Sequence, residues 1–128
     1  MNITVTVQQA REPVAVMHLE GDIDASNFVQ IVDKAQEIYQ NPARNLIIDL
    51  SEVPSISSTG LVAIHKVALL YSGVSEKEVH PDLTHSSKAR KFVKLLSPQP
   101  AVDKALETAV MKLFFKVFHE LESALNSF

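Results

Sequence analysis

Four hydroxyl side chains lie close together in the middle of the chain, at Ser55, Ser57, Ser58 and Thr59. Such a hydroxyl can act as a nucleophile beside a base, accept a phosphoryl group, or cap the free backbone N–H groups at a helix start. Taken alone, the run favours the cap, because apolar residues at helical spacing follow it. His65 lies seven residues after Ser58 in the same predicted helix, ~10 Å along its axis, which is too far for a direct general base.

Other groups that could carry chemistry have simpler explanations. Asp22 and Asp24 precede a predicted helix, where carboxylates ordinarily act as caps rather than as an acid–base pair. His80, Asp82 and His85 lack the spacing of a metal motif and a fourth partner, so we interpret them as solvated loop residues. There is no G-x-S-x-G, phosphate-binding glycine loop or zinc motif. We therefore predict no catalytic residue, no metal site and no cofactor.

Length and composition indicate one packed domain spanning residues 1–128. The chain is 46% hydrophobic and 21% charged, and it has no cysteine, which excludes disulfides and thiolate metal sites. A net charge of −3 and a pI near 5.9 argue against nucleic-acid binding. The apolar stretch 61–70 is shorter than the ~20 residues of a membrane helix, and residues 1–20 do not resemble a signal peptide, so we expect a cytoplasmic protein without membrane insertion.

The spacing of the apolar residues, alternating in strands and recurring every three or four residues in helices, predicts the elements that would position these residues. Ile3, Val5 and Val7 alternate with polar residues, and a turn at 9–13 leads into a second strand at 14–20, which predicts an antiparallel hairpin. Further strands are predicted at 46–48, 92–96 and 116–118. The continuous apolar run at 46–48 is typical of a central strand that is covered on both faces.

Four helices are predicted between and after these strands. The first carries apolar residues from Phe28 to Ile38, with Asp24 or Ser26 as its cap, and the second carries them from Leu61 to Tyr71. The third is built on residues 102–113 and the last lies within 119–125, while residues 73–89 have no sustained period and are predicted to be an irregular insertion. The order predicts a single-domain α/β sandwich, a mixed and mostly parallel β-sheet with four helices packed on it.

Three stretches resemble the STAS domain family, specifically its anti-sigma factor antagonists. Residues 21–26 (GDIDAS) look like the family's entry to its first helix. Residues 46–53 (LIIDLSEV) with 56–61 (ISSTGL) look like its signature strand, loop and helix start, and residues 118–125 (FHELESAL) look like its closing helix. The resemblance covers almost the whole chain except 73–89.

The resemblance implies a protein-binding switch that is not an enzyme. Ser58 aligns with the serine that a partner kinase phosphorylates, Ser57 and Thr59 are secondary candidates, and Ser57 replaces the family's usual aspartate. Asp24 and Asp49 are expected close to the acceptor. The partner would be an anti-sigma factor that is also a serine protein kinase, and it would supply the ATP. The expected partner-binding residues are Asp22, Asp24, Asn27, Ser55, Ser57, Ser58, Thr59, Gly60 and Leu61.

Other interpretations remain open at this stage. Relatives of this fold include accessory domains of transporters, some thought to bind a small ligand, and structural subunits of signalling assemblies. Phenylalanines near the carboxyl end would also suit a weak homodimer. Residues 73–89 could be a tolerated surface insertion or a partner-specific docking element.

Overall fold

A computed structural model describes residues 1–40, 45–71, 92–109 and 115–128. The irregular insertion predicted at 73–89 lies outside these ranges. Within them the chain forms one five-stranded sheet with helices on both of its faces.

The strands are β1 (Asn2–Gln9), β2 (Pro13–Glu20), β3 (Asn45–Glu52), β4 (Val93–Leu96) and β5 (Lys116–Phe118). They lie side by side in sequence order. Only β1 and β2 are antiparallel, and each later strand runs parallel to the one before it. The predicted hairpin and the mixed, mostly parallel sheet are confirmed.

The helices are α1 (Phe28–Gln40), α2 (Ser58–Tyr71), α3 (Pro100–Thr108) and α4 (Leu121–Asn126). The helix α3 ends at Thr108 rather than running through the predicted 113, and residues 110–113 lie outside the described ranges. None of the helices in the described part of the chain has the length and apolar character needed to cross a membrane.

The strand β3 is the centre of the core because both of its faces are covered. Leu46, Ile48 and Leu50 point to one face and belong to the larger hydrophobic cluster, which also contains apolar residues of α1, α2 and α3. Ile47 points to the other face and packs in a smaller cluster with Ala124 of α4. Side chains alternate across a strand, so the apolar run 46–48 serves both clusters, as predicted.

The helices α1 and α2 pack against each other on the larger-cluster face. The rings of Tyr39 and Tyr71 meet edge to face with their centroids 5.1 Å apart. The Tyr71 hydroxyl donates a 3.4 Å hydrogen bond to the Ala35 carbonyl. These contacts join the carboxyl ends of the two helices, so their amino ends, where the predicted site residues lie, are held beside one another.

A buried lysine fixes α4 to the opposite face. Lys94 of β4 is 5% exposed, donates a 3.1 Å hydrogen bond to the Ser127 carbonyl and lies 4.3 Å from the centroid of the Phe128 ring. Burial lowers the pKa of Lys94, and the nearby charge of Lys116 lowers it further. The cation–π contact and the carbonyl contact offset only part of the hydration that the ammonium group loses, because its pKa remains lowered.

We expect Ile48→Ala to lower the free energy of unfolding by about 2–5 kcal/mol, since it empties space in the centre of the larger cluster. Val7→Ala is the matched control, because Val7 is 56% exposed and its truncation should change the free energy by about 0.5 kcal/mol or less. Urea denaturation measures both. Equal losses in the two variants would contradict this description of the core.

Candidate functional site

Two loops leave the carboxyl ends of β2 and β3 and are joined by backbone hydrogen bonds. The Ile23 N–H donates to the Ser55 carbonyl at 3.0 Å, and the Ser57 N–H donates to the Ile23 carbonyl at 2.9 Å. Gly21 has a φ of +113°, a conformation that glycine adopts without strain, and its N–H donates to the Glu52 carbonyl at 3.0 Å. The parallel pairing of β2 and β3 therefore continues into the loops.

Side-chain hydrogen bonds complete the connection between the loops. The Ser55 hydroxyl donates to the Asp22 carboxylate at 2.9 Å. The buried side chain of Asn27 donates to the Asp22 carbonyl at 2.7 Å and accepts from the Asp24 N–H at 3.0 Å. Asp22, Asn27 and Ser55, all predicted from the sequence, thus form one hydrogen-bonded unit.

Asp24 forms a local turn and does not cap α1. Its carboxylate accepts from the Ser26 hydroxyl at 2.5 Å and from the Ser26 N–H at 2.9 Å, and these two hydrogen bonds lower the pKa of Asp24. The first helical hydrogen bond of α1 runs from the Ile31 N–H to the Asn27 carbonyl at 3.1 Å. Asn27 is therefore the N-cap residue, and the sequence-based choice of Asp24 or Ser26 was wrong.

Ser57 caps α2 in the manner predicted. Its hydroxyl accepts the Gly60 N–H at 3.1 Å, and its carbonyl accepts the Leu61 N–H at 2.9 Å, which are the two marks of an N-cap residue. Gly60 is buried, and a Cβ at this position would lie 2.7 Å from the Ile23 carbonyl oxygen. A glycine here lets α2 begin directly over the loop that follows β2.

Ser58 and Thr59 occupy the first two positions of α2 and are exposed. In the part of the chain that the structure describes, neither hydroxyl makes a hydrogen bond, whereas those of Ser55 and Ser57 are both engaged. The first helical turn has free backbone N–H groups and the positive end of the helix dipole, so an added phosphate would be tolerated at Ser58. Ser58 is thus presented to solvent on a fixed backbone.

Exposed apolar side chains lie on the first turns of both α1 and α2. Val62 is one turn beyond Ser58 on the same face of α2 and is 49% exposed, and Val29 at the start of α1 is 65% exposed. The Lys66 ammonium lies 5.6 Å from the centroid of the Phe28 ring, which connects the third turn of α2 to the start of α1. We call Ser58, Thr59 and Val62, which lie on the first turns of α2, the hydroxyl surface. Val29 and Val62 had not been singled out from the sequence, because exposure rather than residue type distinguishes them.

Leu61, by contrast, is half-buried and packs against the larger hydrophobic cluster. Its neighbour Gly60 is buried, so Gly60 and Leu61 lie beneath the hydroxyl surface. The structure brings together the loop residues predicted for partner binding, and their role in binding remains a prediction.

Asp49 lies on the same face of β3 as Ile47, the face that α4 covers, and its expected place close to the acceptor remains a prediction. Its carboxylate lies 2.8 Å from Nδ1 of His18, an ion pair that sequence reasoning missed, and it accepts the Ser51 N–H at 3.0 Å. The hydrogen bond with Asp49 raises the pKa of His18. Burial acts to raise the pKa of Asp49, but the hydrogen bonds from Ser51 and His18 outweigh it and lower that pKa.

A known protein family matches the part of the chain that carries the candidate site. A family model described as the STAS domain matches residues 5–72, which include the hairpin, both loops and the helices α1 and α2. A search of curated protein sequences found no match.

Solved structures share the fold at low sequence identity. An anti-sigma factor antagonist from Mycobacterium paratuberculosis is 19% identical over 98% of this chain and 93% of its own, with a TM-score of 0.70. The phosphorylated form of SpoIIAA, a Bacillus cell fate determinant, is 16% identical over 96% and 97%, with a TM-score of 0.54. A serine-to-glutamate variant of RsbS from Moorella thermoacetica is 17% identical over 98% and 93%, with a TM-score of 0.57. These similarities establish the fold.

Ser57→Ala should lower the free energy of unfolding by about 1 kcal/mol, because the Gly60 N–H loses its acceptor. Ser57→Asp should change it by about 0.5 kcal/mol or less, since aspartate caps a helix as well as serine. Thr59→Ala is the matched control in the same turn. Urea denaturation measures the free energy of unfolding of each variant. Equal values for Ser57→Ala and Thr59→Ala would contradict the assignment of Ser57 as the N-cap residue.

The coupling between His18 and Asp49 should depend on pH with a definite sign. The raised pKa of His18 gives a contribution that is complete below its ordinary value of 6.5 and is lost as the pH rises through the raised one. The lowered pKa of Asp49 gives a contribution that is complete above 3.8 and is lost as the pH falls through the lowered one. The coupling should therefore be greatest between these two ordinary values.

A double-mutant cycle of His18→Gln and Asp49→Asn, measured by urea denaturation at a series of pH values, gives this coupling directly. A coupling energy that stays constant from pH 5 to pH 9, or that increases with pH, would contradict the assignment.

Proposed function

Because this chain belongs to the STAS domain family, we propose that it is an anti-sigma factor antagonist whose binding is switched off by phosphorylation of Ser58. In the unphosphorylated state it binds an anti-sigma factor that is also a serine kinase, and it thereby frees the sigma factor. The single observation that carries this proposal is the Ser58 hydroxyl, exposed at the first position of α2 without a hydrogen-bond partner in the described ranges.

The neighbours of Ser58 support it as the acceptor. The Ser57 hydroxyl is occupied by the Gly60 N–H, and that of Ser55 by Asp22, so both are less free to attack a phosphoryl donor. Thr59 is equally exposed and is the secondary candidate. The family resemblance aligns Ser58, rather than Thr59, with the phosphorylated serine.

The transfer itself requires machinery from the partner. The Ser58 oxygen forms a bond to the γ-phosphorus of the partner's ATP, the bond from that phosphorus to the bridging oxygen breaks, and ADP leaves. The hydroxyl proton passes to a base of the partner, because His65 is ~10 Å away along α2. In this transfer the chain only positions the Ser58 hydroxyl, as expected for a binding protein that is not an enzyme.

The switch follows from desolvation. A partner that covers the hydroxyl surface packs on Val62 and on a neutral hydroxyl. A phosphate brings about −1.5 to −2 charges, and burying it without a matching cation costs several kcal/mol. The helix start tolerates the phosphate within this chain, so the partner is released while the fold persists.

The test uses purified protein, ATP and each anti-sigma-type serine kinase of the source organism. Phosphopeptide mass spectrometry should locate one phosphate on Ser58. In calorimetric titrations Ser58→Ala should bind the kinase within about threefold of the parent protein, and Ser58→Asp should bind about 100-fold more weakly, which corresponds to about 2.7 kcal/mol.

Thr59→Asp is the matched control, since it places the same charge at the next exposed position. Phosphate on Thr59 or Ser57, or equal binding by Ser58→Ala and Ser58→Asp, would contradict the proposed switch. Binding that is independent of charge at Ser58 would instead favour the accessory-domain or scaffold role.

A further inference from the structure

A second group of polar side chains lies at the carboxyl ends of β2 and β3, apart from the hydroxyl surface. His18 and Glu20 come from β2, and Asp49 and Glu52 come from β3. The parallel register pairs His18 with Asp49 and Glu20 with Glu52, with an irregularity between the two pairs. Alternation along β2 places His18 on the same face as Val14 and Val16, which belong to the cluster that α4 covers.

The imidazole of His18 is held between two carboxylates. Its Nδ1 lies 2.8 Å from Oδ2 of Asp49, and its Nε2 lies 3.7 Å from Oε2 of Glu52. One ligand atom from each of His18, Glu20 and Glu52 can be chosen so that all three lie within 4.8 Å of one another.

We propose that His18, Glu20 and Glu52 bind one divalent transition-metal ion such as Zn²⁺, with Asp49 orienting the histidine. A neutral imidazole and two carboxylates are a donor set that zinc accepts at about 2.0–2.2 Å. Tetrahedral coordination at this distance separates neighbouring ligand atoms by about 3.4 Å. The Nε2–Oε2 separation of 3.7 Å is close to this value, and small rotations of the exposed Glu20 and Glu52 side chains bring in the third ligand.

Asp49 supplies the feature that distinguishes this cluster from a chance group of acids. A histidine that binds a metal usually donates its other ring N–H to a carboxylate or carbonyl, which fixes the tautomer and the orientation of the ring. The side chain of Asp49 is only 17% exposed and lies 2.8 Å from Nδ1. When Asp49 accepts the Nδ1–H of the neutral ring, the lone pair is on Nε2, the nitrogen that faces Glu52. The ligand would therefore already be oriented before the ion arrives.

The charge of the cluster also favours a cation. It contains three carboxylates, and in the described ranges no lysine or arginine forms an ion pair with Glu20, Asp49 or Glu52. Protonated His18 is the internal alternative to a metal ion. Metal and proton would compete for Nε2, so binding should weaken as the pH falls.

Bound metal would tie β2 to β3 where the two loops begin. The Glu52 carbonyl accepts the Gly21 N–H, so a ligand of the ion lies directly beside the first backbone bond that joins the loops. The site is independent of phosphorylation at Ser58, and its test needs no partner protein.

The probe is Zn²⁺ added to the metal-free full chain at pH 7.5, followed by isothermal titration calorimetry. We expect one ion per chain, and weakening by at least about 10-fold in Glu20→Gln, Glu52→Gln and His18→Asn. Asp49→Asn should weaken binding by about 10- to 100-fold, as expected for a carboxylate that orients a ligand. The melting temperature should rise with Zn²⁺ in the parent protein and should rise less in Glu20→Gln at the same Zn²⁺ concentration.

Glu20→Gln keeps the proposal testable if His18→Asn does not fold, because Glu20 is exposed. Glu107→Gln and His119→Asn are the matched controls, being exposed residues of the same types elsewhere. Saturable binding that survives both Glu20→Gln and His18→Asn would overturn the proposal. So would the absence of saturable binding, or binding that is lost only in the double variant His80→Asn/His85→Asn.

Discussion

The backbone hydrogen bonds of Ile23 are the constraint on which the candidate site depends. Ile23 donates to Ser55 and accepts from Ser57, which extends the β2–β3 pairing past the end of the sheet. The loop before α1 and the loop before α2 thus become one rigid layer. Gly60 lies against the Ile23 carbonyl, and any larger residue there would push α2 away from that layer. These backbone contacts, together with the packing of Leu61 against the larger cluster, therefore set the position of the Ser58 hydroxyl.

The fold was predictable because each element has a distinct hydrophobic period. The strand β1 alternates because one of its faces is covered, and residues 46–48 are continuously apolar because β3 is covered on both faces. The cap of α1 was assigned wrongly because three polar residues capable of capping, Asp24, Ser26 and Asn27, lie within four positions. Which of them ends the loop depends on the turn that Asp24 makes with Ser26, and that turn is not encoded in the hydrophobic period.

The contacts of the site that join residues close in sequence were predictable. The contacts that join distant residues were not, because they depend on the register of the strands. Ser57 caps α2 through the N–H of the residue three positions ahead, so its role follows from sequence spacing. Ser55 reaches Asp22 across 33 positions, and His18 reaches Asp49 across 31. These pairs meet only because β2 and β3 align Val14 with Asn45 and His18 with Asp49. A shift of one residue would have turned Asp49 to the opposite face of the sheet.

Ser57 stands where the family usually has an aspartate, and the consequence of this replacement can be judged from the interaction energies involved. The structural role survives, because the Ser57 hydroxyl accepts the Gly60 N–H as a carboxylate would. What is lost is one negative charge beside the acceptor, and two charges a few ångströms apart interact by only about 1 kcal/mol in water. The cost of burying a phosphate under a partner is several kcal/mol, so the proposed release mechanism does not need the missing charge. Under the proposed function the replacement instead alters the charge that the kinase meets on approach, and we expect it to change specificity for the partner.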